Sequence, residues 1–199
     1  HAEITGSIVV ATKPVGVVSG NFCAYVPTNC GCCDVLEEME LPTNTWGTEY
    51  HVTKFIDRKK NSMIKIFAKE AKTKVYRDHI QIGFLRDAGG TQGPGYIYMR
   101  ADSSSPRPIL IGGDKPISVT QFNTGQGDDG VSSAPFQLVL SPIEQYQREI
   151  ISSETTEPKN KKILRGTKIV WKTLATGDGE IKYWKKMRVY ATHYDSHCP

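Results

Sequence analysis

No run of apolar residues in this 199-residue chain approaches the ~18–20 that a membrane-spanning helix needs; the longest candidates are short strand-like pieces such as Ile8-Val9-Val10. A charged n-region followed by an apolar h-region is missing as well, so any signal peptide is expected to have been removed or to lie upstream. Catalytic signatures are also lacking: there is no Gly-x-Ser-x-Gly, Walker loop, His-Glu-x-x-His or EF-hand loop. Helical periodicity is scarce, and only Cys33 to Met39 and Ile143 to Ile151 read as able to turn once or twice. The composition that remains is ordinary, with 38% hydrophobic residues, 18 Gly and 11 Pro, which sets aside collagen-like and wholly disordered chains. Its length fits a single module over 1–199.

Charge is more informative than composition. The formal net charge of +4 hides a segregation: Lys54 to Arg77 carries nine basic and two acidic residues, and Lys159 to Arg188 carries ten basic and two acidic. The rest holds six basic against seventeen acidic residues, a net of −11, with Asp34, Glu37, Glu38, Glu40 and Glu49 forming a block free of Lys and Arg. Basic bands of this kind suit anions such as sulfated glycans or mucin sialates. The plainer reading is solvated strand faces, on which Lys alternates with apolar residues as in Lys72-Thr73-Lys74-Val75. No nucleic-acid-binding motif accompanies the charge, so nucleic acid is not an expected partner.

Short β-branched and aromatic runs, punctuated by Gly, Pro, Asn and Asp, predict an all-β fold of antiparallel sheets. Strands are predicted near 7–10, 15–19, 48–55, 63–68, 73–76, 79–84, 96–100, 108–111, 117–122 and 136–140. Two more, 168–174 and 181–191, join through Thr176-Gly177-Asp178-Gly179 into a basic C-terminal hairpin spanning about 159–199. Internal similarity divides the remainder. Lys13-Pro14-Val15-Gly16-Val17-Val18-Ser19-Gly20 resembles Lys115-Pro116-Ile117-Ser118-Val119-Thr120-Gln121-Phe122 at an offset of 102. Leu41-Pro42 followed by Trp46 and Tyr50 resembles Ser141-Pro142 followed by Tyr146 and Ile150 at an offset of 100. Two related halves of about 100 residues, with repeats over about 4–55 and 106–151, are therefore expected to pack in a propeller-like or sandwich arrangement. Pro opens each strand at a position that needs no ladder donor, and the aromatic four residues after the second Pro can cover the sheet. Trp46 is on this ground expected to serve packing.

Five cysteines stand at 23, 30, 32, 33 and 198. In an oxidising compartment the cluster forms a disulfide-bonded loop, with one bridge such as Cys23 to Cys33 and another reaching Cys198. In a reducing one the thiols, helped by His193, His197 and Cys198, can hold zinc, although no Cys-x-x-Cys pairing is present. The odd count leaves a thiol free, paired with another chain, or paired outside this sequence.

Other candidates are weaker. Gly83 to Gly95 is glycine-rich but lacks the Lys-Ser/Thr ending of a phosphate cradle and reads as a surface loop. Gly125-Gln126-Gly127-Asp128-Asp129-Gly130, like Asp178 and Glu180, can offer oxygen ligands to Ca²⁺, but without a spaced bidentate Glu it reads as an acidic turn. An N-terminal His1 can chelate copper with His51, His79 or His193; a fragment boundary at that point explains His1 more simply. The better binding candidates are aromatic. Along Ile181 to Tyr190, alternation puts Lys182, Trp184, Lys186 and Arg188 on one face, and with Trp171 they can receive an acidic sugar or sulfate by stacking and charge. The competing reading is a hairpin whose Trp184 lies under Lys stems.

Ile4-Thr5-Gly6-Ser7, the run from Lys13 to Asn21, Cys23, Val26-Pro27, Cys33-Asp34, Glu37-Glu38, Leu41-Pro42 and Thr45-Trp46-Gly47 resemble the IgGFc-binding protein N-terminal domain family. The resemblance continues through Lys115-Pro116-Ile117, Gln121-Phe122, Asp128, Pro135-Phe136 and Pro142-Ile143-Glu144-Gln145-Tyr146, with little between 56 and 106 or after 151. It implies a secreted or cell-surface, non-catalytic binding or adhesion module of mucus or extracellular matrix, found in large mosaic proteins. It also implies that Cys23 pairs with Cys33, while Cys30, Cys32 and Cys198 depart from the family pattern. The domain in that family usually extends upstream of Ile-Thr-Gly, so the resemblance implies a fragment or a short member. The partners expected are glycans, mucins or matrix proteins, and other copies through an unpaired Cys; no cofactor, metal or catalytic residue is expected. The alternative is a secreted copper or zinc enzyme using His1 and a second His.

Overall fold

The computed structural model describes residues 5–31, 33–55, 58–86, 95–101 and 107–147, with the backbone of 167–175 and 181–190. The chain is all-β, as its turn spacing predicts, and every strand pairing is antiparallel. A first ribbon pairs β1 (Val18–Ala24) with β2 (Asp34–Met39). The main, curled sheet follows: β3 (Gly47–Val52), β4 (Met63–Ala68), β5 (Thr73–Arg77), β6 (Ile80–Leu85), β7 (Tyr96–Arg100), β8 (Ile109–Asn123) and β9 (Phe136–Val139). A separate hairpin joins β10 (Thr167–Ala175) to β11 (Ile181–Tyr190).

β8 organises the main sheet. Its first half lies between β3 and β5, and its second half between β4 and β9. Gly112 to Pro116 is where the neighbours change: a Cβ on Gly113 would stand 2.6 Å from the Lys115 carbonyl oxygen, and Pro116 lacks an N–H. That interruption makes 108–111 and 117–122 look like two strands in the sequence, whereas they form one. The core is built by alternation. Ile64, Ile66 and Ala68 of β4 meet Ile117 and Val119 of β8, Tyr50 and Val52 of β3, and Val75 of β5. The buried Tyr50 hydroxyl donates to the Ile117 carbonyl at 2.5 Å and accepts from Gly47 N–H at 3.1 Å. Between β5 and β6, Asp78 and His79 both take positive φ, giving a two-residue type I′ turn.

Two expectations are corrected. Cys33 to Met39 does not turn as a helix: Asp34–Met39 is strand β2, because pairing with β1 and burial of Leu36 outweigh the helical bias of its Leu, Glu and Met. Ser7 to Val10 forms no strand; its residues are exposed and no ladder receives them. From Ile143 only a short 3-10 turn, Ile143–Gln145, forms, and the positions after 147 lie outside the described residues.

The offsets that relate the two sequence segments also relate two hairpins. Val18↔Met39, Ser19↔Glu38, Gly20↔Glu37 and Asn21↔Leu36 correspond to Thr120↔Val139, Gln121↔Leu138, Phe122↔Gln137 and Asn123↔Phe136. The closing hydrogen bonds correspond as well: Glu40 N–H to Val17 O at 2.8 Å, and Leu140 N–H to Val119 O at 2.9 Å. Each hairpin then runs into a 3-10 turn, Thr43–Thr45 after Pro42 and Ile143–Gln145 after Pro142, ending at Trp46 and Tyr146 respectively.

Candidate binding surfaces

The cysteine loop leaves β1 and returns in β2. Cys23 and Cys33 are disulfide-bonded with Cα atoms 5.1 Å apart. Cys30 is a free, half-buried thiol, pushed above its ordinary pKa by burial and by the Asp128 carboxylate. Cys32 and Cys198 lie outside the described residues. The loop rests on the Gly125–Gly130 segment, whose single helical turn α1 (Gln126–Asp129) closes on Gly130 in the left-handed region. Gly125 N–H donates to Val26 O at 2.8 Å, and a Cβ on Gly127 would stand 2.7 Å from Gly31 N.

The acids in this segment face inward to bases. Arg100 donates both terminal nitrogens to Asp128 at 2.8 Å, and Lys60 approaches the same carboxylate at 3.3 Å. Arg58 pairs with Asp129 at 3.0 Å, each side chain only 1% exposed, and also donates to Thr124 Oγ1 and Gly125 O. Asp129 further accepts from the backbone N–H of Lys59, Lys60 and Val131. Burial works against the Asp128 charge, but the bonds from Arg100, Thr124 and Lys60 prevail and hold its carboxyl below the ordinary value. The acidic loop is thus an internal ion-pair cage: its carboxylates are committed to guanidinium and ammonium groups rather than open to a cation. Sequence reading missed it because Arg58, Arg100 and Asp128 are far apart in the chain.

The basic band Lys54 to Arg77 is accordingly divided. Arg58 and Lys60 serve the cage, and Lys65 Nζ lies 5.2 Å from the Tyr96 ring centroid, 5.7 Å from Tyr98 and 6.0 Å from Phe122. Lys59, Lys69, Lys72 and Lys74 are exposed.

For the C-terminal hairpin the backbone register is defined. Trp171 stands opposite Lys186, Thr173 opposite Trp184 and Ile169 opposite Arg188. Because directly paired residues share a face and alternate residues of one strand return to it, Trp171, Trp184, Lys186 and Arg188 occupy one face of the ribbon. Lys182, expected on the same face, is instead the residue skipped at the register shift, where Leu174 stands opposite Tyr183 and Ala175 opposite Ile181, so the pairing does not carry the alternation through it.

Of the histidines, His51 is half-buried with its ring 6.2 Å from Tyr146, and burial lowers its pKa; His79 occupies the exposed β5–β6 turn. His1 and His193 lie outside the described residues, as do most of the glycine-rich 83–95 loop and Asp178 and Glu180. Among the described residues no three His, Cys, Asp or Glu side chains gather as a metal site, and no helix is long and apolar enough to cross a membrane.

The two motifs that stand out most in the sequence meet in space. Gln145 Nε2 donates to Thr45 O, and Glu144 Oε1 accepts from Thr48 N–H at 2.7 Å and from Thr48 Oγ1 at 2.6 Å. The sequence profile of the IgGFc binding protein family matches residues 1–194. The chain belongs to the IgGFc binding protein family. A human relative, "IgGFc-binding protein", is 28% identical over 144 residues, which cover 72% of this chain and 2% of that protein. The chain therefore spans a small fraction of the length of the curated relative it matches. No solved structure matches the chain.

For this IgGFc binding family member, Thr45-Trp46-Gly47 and Pro142-Ile143-Glu144-Gln145-Tyr146 form one joint between the turns that end the two hairpins. A Cβ on Gly47 would fall 2.4 Å from Glu144 Oε2 and 2.5 Å from Pro142 Cβ, so any side chain there must push these neighbours aside. The half-buried Trp46 donates Nε1 to Leu41 O at 3.1 Å.

Proposed function

We propose that this chain is an extracellular, secreted binding or adhesion module without catalytic function, recognising glycans or mucus and matrix proteins. Membership of a family named for binding supports the class. The observation that supports the finer reading is the hairpin register, in which Trp171, Trp184, Lys186 and Arg188 fall on one ribbon face, with Lys182 at the register shift beside them. Tryptophan offers a sugar ring a stacking plane, and Lys and Arg beside it bind sulfate or carboxylate. The exposed Lys59, Lys69, Lys72 and Lys74 add to the basic field that draws such ligands in.

Arrays of sulfated and sialylated glycans, probed at low and high salt, test this reading. Binding should weaken with salt and should fall about tenfold or more in Trp184→Ala and in the Lys186→Ala/Arg188→Ala double variant. Absent or salt-insensitive binding refutes the electrostatic version. The relative's name makes immunoglobulin Fc a separate arm of the same assay.

A further inference from the structure

The two hairpins that share a register differ in what borders them. From Ile117 to Asn123, β8 is buried at every residue, with β9 on one edge and β4 on the other. β1 has β2 on one edge and, among the described residues, no strand on the other. Its Val18 is 55% exposed and Phe22 89%, whereas Thr120, the counterpart of Val18, is buried.

The hydrogen-bond phase identifies the groups that β1 leaves open. Val17 O is bonded to Glu40 N–H, so Val17, Ser19 and Asn21 turn their backbone groups toward β2, while Gly16, Val18 and Gly20 turn theirs away. Their counterparts in β8 are Ser118, Thr120 and Phe122, which pair with Phe67, Lys65 and Met63 of β4. From Gly16 to Gly20 neither a charge nor a proline guards this edge. Between residues 4 and 33 the one charged residue is Lys13, and no proline follows within β1. Among the described residues, nine of the thirteen exposed large hydrophobic ones fall between Ile8 and Met39. Edges that must stay single carry Lys, Pro or bulges that turn them away; the one register shift of β1 falls between Asn21 and Ala24, beyond the Gly16–Gly20 stretch.

We propose that the free edge of β1 is a strand-docking site, filled by an extended peptide segment of β4's chemistry. The incoming strand runs antiparallel to β1 and exchanges main-chain hydrogen bonds with Gly16, Val18 and Gly20. The hairpin's counterpart specifies the occupant: the same register in β8 is completed by Met63-Ile64-Lys65-Ile66-Phe67-Ala68, a strand of alternating large apolar side chains with no acid. A second copy of β1 is the poorer occupant, because Ser19, Gly20 and Asn21 would meet one another, and these are weak strand formers. Recognition here is of a polypeptide through its backbone and needs no part of the basic hairpin.

A synthetic peptide reproducing Ser62–Lys69, with a scrambled peptide as control, tests the proposal by amide hydrogen exchange on the full chain. The expected result is slowing of exchange at Val18 and Gly20 by about 100-fold or more at saturating peptide, with little change at Ser19 and Asn21, which already bond β2. Val18→Pro removes an outward N–H and should abolish the protection, while Val18→Thr, which installs the residue of the β8 counterpart, should retain it. Unchanged exchange with the peptide, equal protection by the scrambled control, or a chain dimer in sedimentation velocity that closes the edge by itself would each overturn it.

Discussion

At the scale of single residues, the positions that matter most are those where one extra carbon or one proton has nowhere to go. Gly47 is filled around by Glu144 and Pro142, and the Tyr50 hydroxyl beside it, bonded to Ile117 O, is pushed up to about 12 mainly by burial. Gly47→Ala must displace the Glu144 carboxylate from Thr48, and overpacking of this kind costs about 1–3 kcal/mol. A denaturant melt should show that loss in the midpoint with an unchanged slope; a loss near zero would mean that the Thr45–Tyr146 joint yields easily. Cys30 makes a chemical prediction. With its pKa raised, less of the thiol is thiolate near pH 8, so alkylation should be slower than for a free cysteine. Mass-spectrometric mapping of iodoacetamide uptake over time measures that rate. Fast labelling of Cys30 would contradict its half-buried place beside Asp128.

Among the elements, the ion-pair cage links β7, α1, the cysteine loop and the segment before β4. Asp129→Ala leaves Arg58 buried without its partner, and breaking one side of a buried pair costs about 3–5 kcal/mol, enough to threaten the fold. The cage and the hairpin joint also set the acid limit. Burial opposes the charge at both Asp128 and Glu144, but the bonds from Arg100 to the first and from Thr48 to the second prevail and hold both carboxyls below their ordinary values. A carboxylate whose folded pKa is depressed contributes stability above its unfolded value, about 4 for Asp and Glu, and loses it as pH falls through the folded value. Urea midpoints should therefore hold from pH 7 to about 5 and drop by pH 3, with a shallower drop in Glu144→Gln. Identical pH profiles for the two proteins would remove Glu144 from the acid response.

What the sequence made legible follows the same division. Met63–Ala68 and Tyr96–Arg100 are read to the residue because their alternation matches a half-buried pleat. β8 reads as two strands because Gly112-Gly113 and Pro116 look like a break, and only the exchange of neighbours on either side keeps it whole. β2 reads as helical because Leu36, Glu37, Glu38 and Met39 favour helices, and its strand state comes from β1. The alternation of Trp184, Lys186 and Arg188 is visible in the sequence, and the turn composition brings Trp171 across to that strand, but no local signal announces the register shift that skips Lys182. No local signal pairs Arg58 with Asp129 or Arg100 with Asp128, since those contacts join residues 71 and 28 positions apart.

For the whole molecule, the two hairpins of matching register sit in unequal surroundings, and that inequality sets how the chain opens. The β8 hairpin shares the main core with Tyr50, Ile64, Ile66 and Val75. The β1–β2 ribbon is attached through a smaller cluster, Val26 and Leu36 against Met63 and Phe122, together with the Cys23–Cys33 link and the contact of its loop with α1. A smaller buried surface means a lower local opening free energy, so the ribbon should open without the main sheet. Closing a loop of this length by a disulfide contributes about 3 kcal/mol in the chain-entropy account. Reduction should consequently raise amide exchange in β1 and β2, and at Gly125, whose N–H bonds Val26 O, while Ile64, Ile66 and Val119 keep their protection. Exchange measured by mass spectrometry before and after reduction separates the outcomes. Uniform loss of protection across β4 and β8 would mean that ribbon and sheet unfold as one unit, because the main core would then depend on the ribbon for its own stability.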